Sequence, residues 1–199
     1  LLAGIDQPIG RQRLNLSASV RDNRFAEDSS QNHYAYNLNG RIDWETVDRL
    51  SGTVRASAEQ TRLLQDYVSN ADEARERVLA NSRSLGGTVR LGVVTRMTVE
   101  ASLNTRQQEY KRENDPTTNQ PRNDNRDYHF TDGGVSLRYG TSPDLTFGVG
   151  LRLGDGRYTN TDIDFKRRDI DLLTTWRASG ASTINARLSA SKLNYKPAD

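Results

Sequence analysis

The stretch "RQRLNLSASVR", residues 11–21, decides how this chain is read. Leu14, Leu16, Ala18 and Val20 fall on one side of an extended backbone, and Arg13, Asn15, Ser17, Ser19 and Arg21 fall on the other. Strand side chains alternate between faces, so the segment predicts a strand with one apolar and one polar face. Two settings produce such a strand. One is the surface of a soluble sandwich, and the other is a membrane barrel with lipid outside and water inside.

The same alternation recurs along the chain. In "YAYNLNGRIDWE", Tyr34, Tyr36, Leu38, Gly40, Ile42 and Trp44 oppose Asn37, Asn39, Arg41, Asp43 and Glu45. "LSGTVRASAE", "LGGTVRLGV" and "MTVEASLNTR" repeat it, then "VSLRY" with "LTFGVGLRLG", and "DIDLLTTWR" with "TINARLSAS". This predicts nine antiparallel strands in an up-and-down meander, near 11–24, 33–45, 50–59, 83–93, 97–107, 133–140, 145–156, 166–177 and 183–195. Tight turns are expected near 48, 95, 142 and 180, and long polar loops over 25–32, 60–82, 107–128 and 155–166. Within the second loop, "NADEARERVLANS" is a candidate short helix that Asn70 or Asp72 would cap. Short turns at one end and long loops at the other fit a transmembrane β-barrel of the outer-membrane type. An even strand number closes such a barrel. Nine strands therefore suggest that residues 1–199 are part of a single, larger barrel domain, with "GIDQPIG" read as a turn at its start.

Composition taken alone suggests a very polar soluble protein or partial disorder, and it does not exclude a barrel. Of the 199 residues, 34% are hydrophobic and 27% charged, with a mean hydropathy of −0.82. A barrel accommodates this, because only its outer face must be apolar. No run approaches the ~18 apolar residues of a transmembrane helix. There is no cysteine, which excludes disulfides and Cys-ligated zinc. A formal net charge of +2 makes no case for nucleic acid, and no such partner is expected. No signal peptide is visible in the first residues.

Aromatic placement carries the argument further. Trp44, Tyr139 and Trp176 end outward faces at the short-turn side, and Tyr34 and Tyr36 sit outward at the loop side. Amphipathic rings favour the two polar boundaries of a bilayer. The outward faces carry no Lys, Arg, Asp or Glu through their middles, where a charge would cost ~2–4 kcal/mol. Outer-membrane lipid is thus the expected partner of one face, in the outer membrane of a Gram-negative cell.

The opposite face would line a lumen. Parity assigns to it Arg13, Arg21, Arg41, Arg55, Arg90, Arg106, Arg138, Arg152, Arg177 and Arg187, with Asp43, Glu45, Glu59, Glu100, Asp169 and Asp171. Such a lining can form cross-strand ion pairs that stiffen the wall. It can also attract anionic solutes, and six paired arginines would leave four to do so. Gly148, Gly150, Gly154 and Gly156 are inward as well, while aromatics are nearly absent from the inward positions. That absence argues against a passage in which sugars slide over rings. His33 falls inward and His129 outward, and no serine stands in a nucleophile motif. No catalytic, cofactor or metal site is expected.

"IGRQRLNLSASVRDNRF", "LSGTVRASAEQTR" and "STINARLSAS" resemble the EpsL-type outer-membrane β-barrel proteins of exopolysaccharide operons, grouped with β-barrel porins. The resemblance covers most of the chain through short barrel phrases. It implies a role in exporting a secreted polysaccharide alongside export machinery, and no catalytic residues. A general diffusion porin for small solutes is the alternative. An outer-membrane hydrolase or an adhesion barrel is the alternative from another class.

Overall fold

In the computed structural model, residues 1–26, 32–47, 49–63, 78–92, 96–111, 125–161 and 163–197 are described. They form one antiparallel sheet of ten strands in sequence order, with no helix among the described residues. The strands are β1 (Leu2–Ile9), β2 (Gln12–Asn23), β3 (His33–Glu45), β4 (Leu50–Leu63) and β5 (Val78–Leu91), then β6 (Met97–Lys111), β7 (Tyr128–Ser142), β8 (Leu145–Tyr158), β9 (Ile163–Ser179) and β10 (Ser182–Pro197). Each strand pairs with its sequence neighbours, and β1 and β10 are the two edges, so the sheet is not closed.

The count of nine is corrected to ten. "GIDQPIG" belongs to β1, which pairs with β2 from Leu2↔Ser19 to Ile9↔Gln12. Gln7 interrupts the apolar alternation, and Pro8 has no N–H to give a central strand. On an edge, that missing donor costs no ladder hydrogen bond. The hairpin closes at Gly10 with φ of 63°, the left-handed backbone that a two-residue turn asks of glycine.

The strands are also longer than expected at one end. Residues 78–82, assigned to the candidate helix, open β5 instead, while its capping residues Asn70 and Asp72 lie outside the described residues. So do Asp48 at the centre of an expected turn and Val93 of an expected strand. β7 begins at Tyr128, and the connection from β8 to β9 shrinks to residues 159–162. At the opposite end two of the expected tight turns form, at residues 143–144 and 180–181, while the one expected near 95 falls on residues 93–95, outside the described residues. Neighbouring turns are tied together. Arg11 Nη1 donates to the Thr46 carbonyl (3.1 Å), the Gly92 amide to Arg49 (3.0 Å) and the Gly140 amide to Arg96 (2.7 Å).

Because directly opposed residues share a face, the register sorts every side chain. Leu16↔Gly40, Gly40↔Ala56, Ala56↔Leu85, Val99↔Leu137, Val149↔Leu172 and Leu172↔Leu188 run along one continuous apolar face. Its side chains are open: Leu103 and Leu151 are 63% exposed and Leu188 70%. Among the described residues the buried apolar side chains are Val78 and Ala80. Among the described residues the fold is a single layer, with no second layer on either face.

Candidate functional site: the polar face

All sixteen charged residues assigned inward from the sequence do share one face. The register joins Arg13↔Asp43, Arg41↔Arg55, Ser51↔Arg90, Arg90↔Glu100, Arg152↔Asp169 and Arg187↔Leu173 on it. Arg21, Glu45, Glu59, Arg106, Arg138, Asp171 and Arg177 fall in the same parity. Three more belong there. Asp6 lies on β1, Asp132 one residue before the expected strand at 133–140, and Arg167 inside the expected strand at 166–177 in the same parity as Asp169 and Asp171. The described strands thus place eleven arginines and eight acids on this face, a surplus of three positive charges.

Six of those arginines are engaged in ion pairs. Arg13 meets Asp6 at 2.5 Å, Arg41 meets Asp43 at 2.7 Å and Arg90 meets Glu100 at 2.5 Å. The densest group lies across β8, β9 and β10. Asp169 and Asp171 are only 3% and 5% exposed. Arg152 reaches Asp169 at 2.7 Å and Asp171 at 3.7 Å, Arg167 reaches Asp169 at 2.9 Å, and Arg187 pairs with Asp171. Ser189 Oγ also donates to Asp171 (2.6 Å). Buried carboxylates demand this much compensation, because each would otherwise be a desolvated charge. Arg21, Arg55, Arg106, Arg138 and Arg177 have no ion-pair partner among the described residues.

The polar face is concave. A cavity of about 250 Å³ is lined by Arg55 of β4 and Arg187 of β10 together with Glu100, Asp132, Arg138 and Arg152 between them. A second, of about 880 Å³, lies over β1–β5 against Asp6, Asn15, Asn39, Arg41 and Arg55. Residues six strands apart line one hollow only if the sheet bends toward them.

The five assigned aromatics all lie on the apolar face. Tyr34 and Tyr36 occupy its loop end, where Asp22 and Gln60 oppose them. Trp44, Tyr139 and Trp176 occupy its turn end, joined by Phe147, which opposes Tyr139. The Trp44 ring covers Gly52, where a Cβ would stand 2.5 Å from its Cε2.

The expected scarcity of inward aromatics is corrected. Tyr110, Tyr128, Phe130, Tyr158, Phe165 and Tyr195 all sit on the polar face, at the loop end of β6–β10. Tyr128 and Tyr158 have ring centroids 6.2 Å apart, and the Arg126 guanidinium lies 4.3 Å from the Tyr110 ring centre. Along this extension the faces exchange character. Glu109, Lys111, Asp155, Arg157, Asp164 and Lys166 occupy the otherwise apolar face. The two histidines do not converge: His33 bonds Asn23 (3.0 Å) on the polar face, and His129 lies near the Thr131 hydroxyl (3.2 Å) on the other.

No family model, curated protein or solved structure matches this chain.

Proposed function

We propose that this sheet is the wall of an outer-membrane β-barrel that passes anionic polysaccharide through an arginine-rich lumen during exopolysaccharide export. One observation carries the reading. A continuous, uncharged, solvent-open apolar band runs from β2 to β10 and is backed by a concave face with surplus arginine. In water such a layer would leave its apolar side chains uncovered, which soluble chains avoid beyond a few hundred Å². A bilayer covers them and leaves the polar face to water. On β8 the band runs from Leu145 to Leu153, nine residues. At ~3.3 Å per residue and a ~40° tilt it spans roughly 20 Å, close to the apolar height of such barrels.

Arginine suits the second half of the proposal. It holds its charge at any working pH and binds carboxylate or phosphate in a bidentate fork. The paired arginines stiffen the wall, and the five others supply the attraction. The exopolysaccharide assignment draws on the EpsL-like phrases quoted above, and export machinery would be the protein partner.

The test is reconstitution of the full-length protein into planar bilayers across a salt gradient. Discrete conductance steps with an anion-selective reversal potential are expected, together with reduced secreted polysaccharide when the gene is deleted. A protein that stays monodisperse in detergent-free buffer and never inserts would refute the membrane reading. A cation-selective pore would refute the electrostatic one.

A further inference from the structure

The loop-end extension of the polar face holds a feature that a charged lining does not need. One row of cross-strand partners runs Arg106, Phe130, Gly156, Phe165, Tyr195. Two glycines of β8 let the phenyl rings lie flat against the wall. A Cβ at Gly154 would stand 2.5 Å from Phe130 Cζ, and one at Gly156 would overlap the Phe165 ring. The two rings are 5.6 Å apart with planes 11° from parallel. Tyr158 and Tyr195 flank Phe165 at 5.6 and 5.9 Å, tilted by 45° and 46°. The next row toward the turn end holds Asn104, Asp132 and Arg167, with Asn104 Nδ2 donating to Asp132 (3.2 Å).

These rings are not a closed core. Phe130, Phe165 and Tyr158 are half-buried, and Tyr195 is 60% exposed. Aromatic side chains carry large apolar areas, and leaving them open on a water-facing wall has a cost that a ligand would recover. The chemistry narrows the ligand. A flat apolar surface bordered by amide, carboxylate and guanidinium matches a molecule with a C–H face and a rim of hydroxyls. An alkyl chain would waste the polar row, and a small anion would waste the rings. We propose that this platform is a glycan-binding subsite that stacks hexopyranose units at the loop-end mouth. It deepens the export reading, since it rests on the polar face being the lumen.

The probe is maltohexaose, with a polyethylene glycol of matched size as control, titrated against the full-length protein in detergent micelles and followed by saturation-transfer NMR. Saturable binding of maltohexaose alone is expected. Phe130→Ala and Phe165→Ala should each weaken it roughly three- to tenfold, the range of a single aromatic contact. Phe165→Tyr should retain it. Heat-dependent gel mobility establishes that each variant is folded. Equal response to both probes, or undiminished binding by a folded Phe130→Ala/Phe165→Ala double variant, would overturn the subsite. If the rings only support neighbouring chain, the Ala variants lose thermal stability and leave glycan affinity unchanged, which also overturns it. The same preparations in planar bilayers separate the two readings. Glycan binding without conductance rejects the passage and keeps the subsite, whereas conductance without glycan discrimination rejects the subsite alone.

Discussion

At the scale of single residues, parity decides what a substitution does. Leu91 and Val99 oppose each other on the apolar face, and one position away Arg90 and Glu100 oppose each other on the polar face. Leu91→Arg, at the turn-side end of β5, or Val99→Arg, the third residue of β6, places a charge in the apolar band and should cost up to ~2–4 kcal/mol if lipid covers it, less at Leu91 than at Val99. The polar pair behaves differently because its partners meet at 2.5 Å and the Glu100 side chain is only 19% exposed. Arg90→Leu alone strands a carboxylate, so it should destabilise more than Arg90→Leu with Glu100→Leu together. Denaturant-dependent folding into lipid vesicles measures all four. Equal tolerance of arginine at both parities would mean that no bilayer covers this face.

At the scale of the element, the hairpins show which parts of the fold could be read in advance. β2 through β6 were legible through the apolar band, because Leu, Val and Ala alternate there with Arg, Ser, Thr and Asn. β1 was not, since Gln7 breaks its apolar alternation and Pro8 reads as a turn residue. The strand ends were hidden for a different reason. Above the band the period of two persists but the faces swap, so "YHFTD" and "GRYTN" look like loop while Phe130 and Tyr158 turn inward. The ion pairs could be anticipated in kind, yet their partners depended on register. Close packing within hairpins was invisible to pattern altogether. At Gly52 a Cβ would stand 2.5 Å from the Thr88 carbonyl oxygen as well as against Trp44, whereas at Gly87 the nearest atom is 3.8 Å away. A backbone oxygen cannot swing aside as a flexible side chain can. Gly52→Ala should therefore destabilise by ~1–3 kcal/mol, the usual cost of overpacking, while Gly87→Ala stays near neutral. The midpoints of heat-dependent gel mobility compare the two, and similar midpoints would count against the Trp44–Gly52 packing.

For the whole molecule, the sorting of connections predicts an orientation and the sorting of charge predicts a selectivity. The connections at residues 24–32 and 159–162 share one end of the sheet, and those at 143–144 and 180–181 share the other. With the longer connections outside the cell, Ala26→Cys and Asn160→Cys should react with an impermeant maleimide on intact cells. Asp144→Cys and Ala181→Cys should react only after lysis, and the reverse pattern would invert the proposed orientation. Selectivity follows from the three surplus positive charges on the polar face. Because arginine does not titrate in the working range, anion preference should stay level from neutral to alkaline pH. Raising ionic strength should weaken it, since the screening length falls from ~10 Å at 0.1 M to ~3 Å at 1 M salt. Arg55→Gln, Arg138→Gln and Arg177→Gln together remove three arginines that have no ion-pair partner among the described residues, so assembly should survive. The triple variant would bring this face to neutrality and should lower the anion-to-cation permeability ratio toward unity at low salt. A ratio unmoved by the triple change would show that charges other than these set the selectivity.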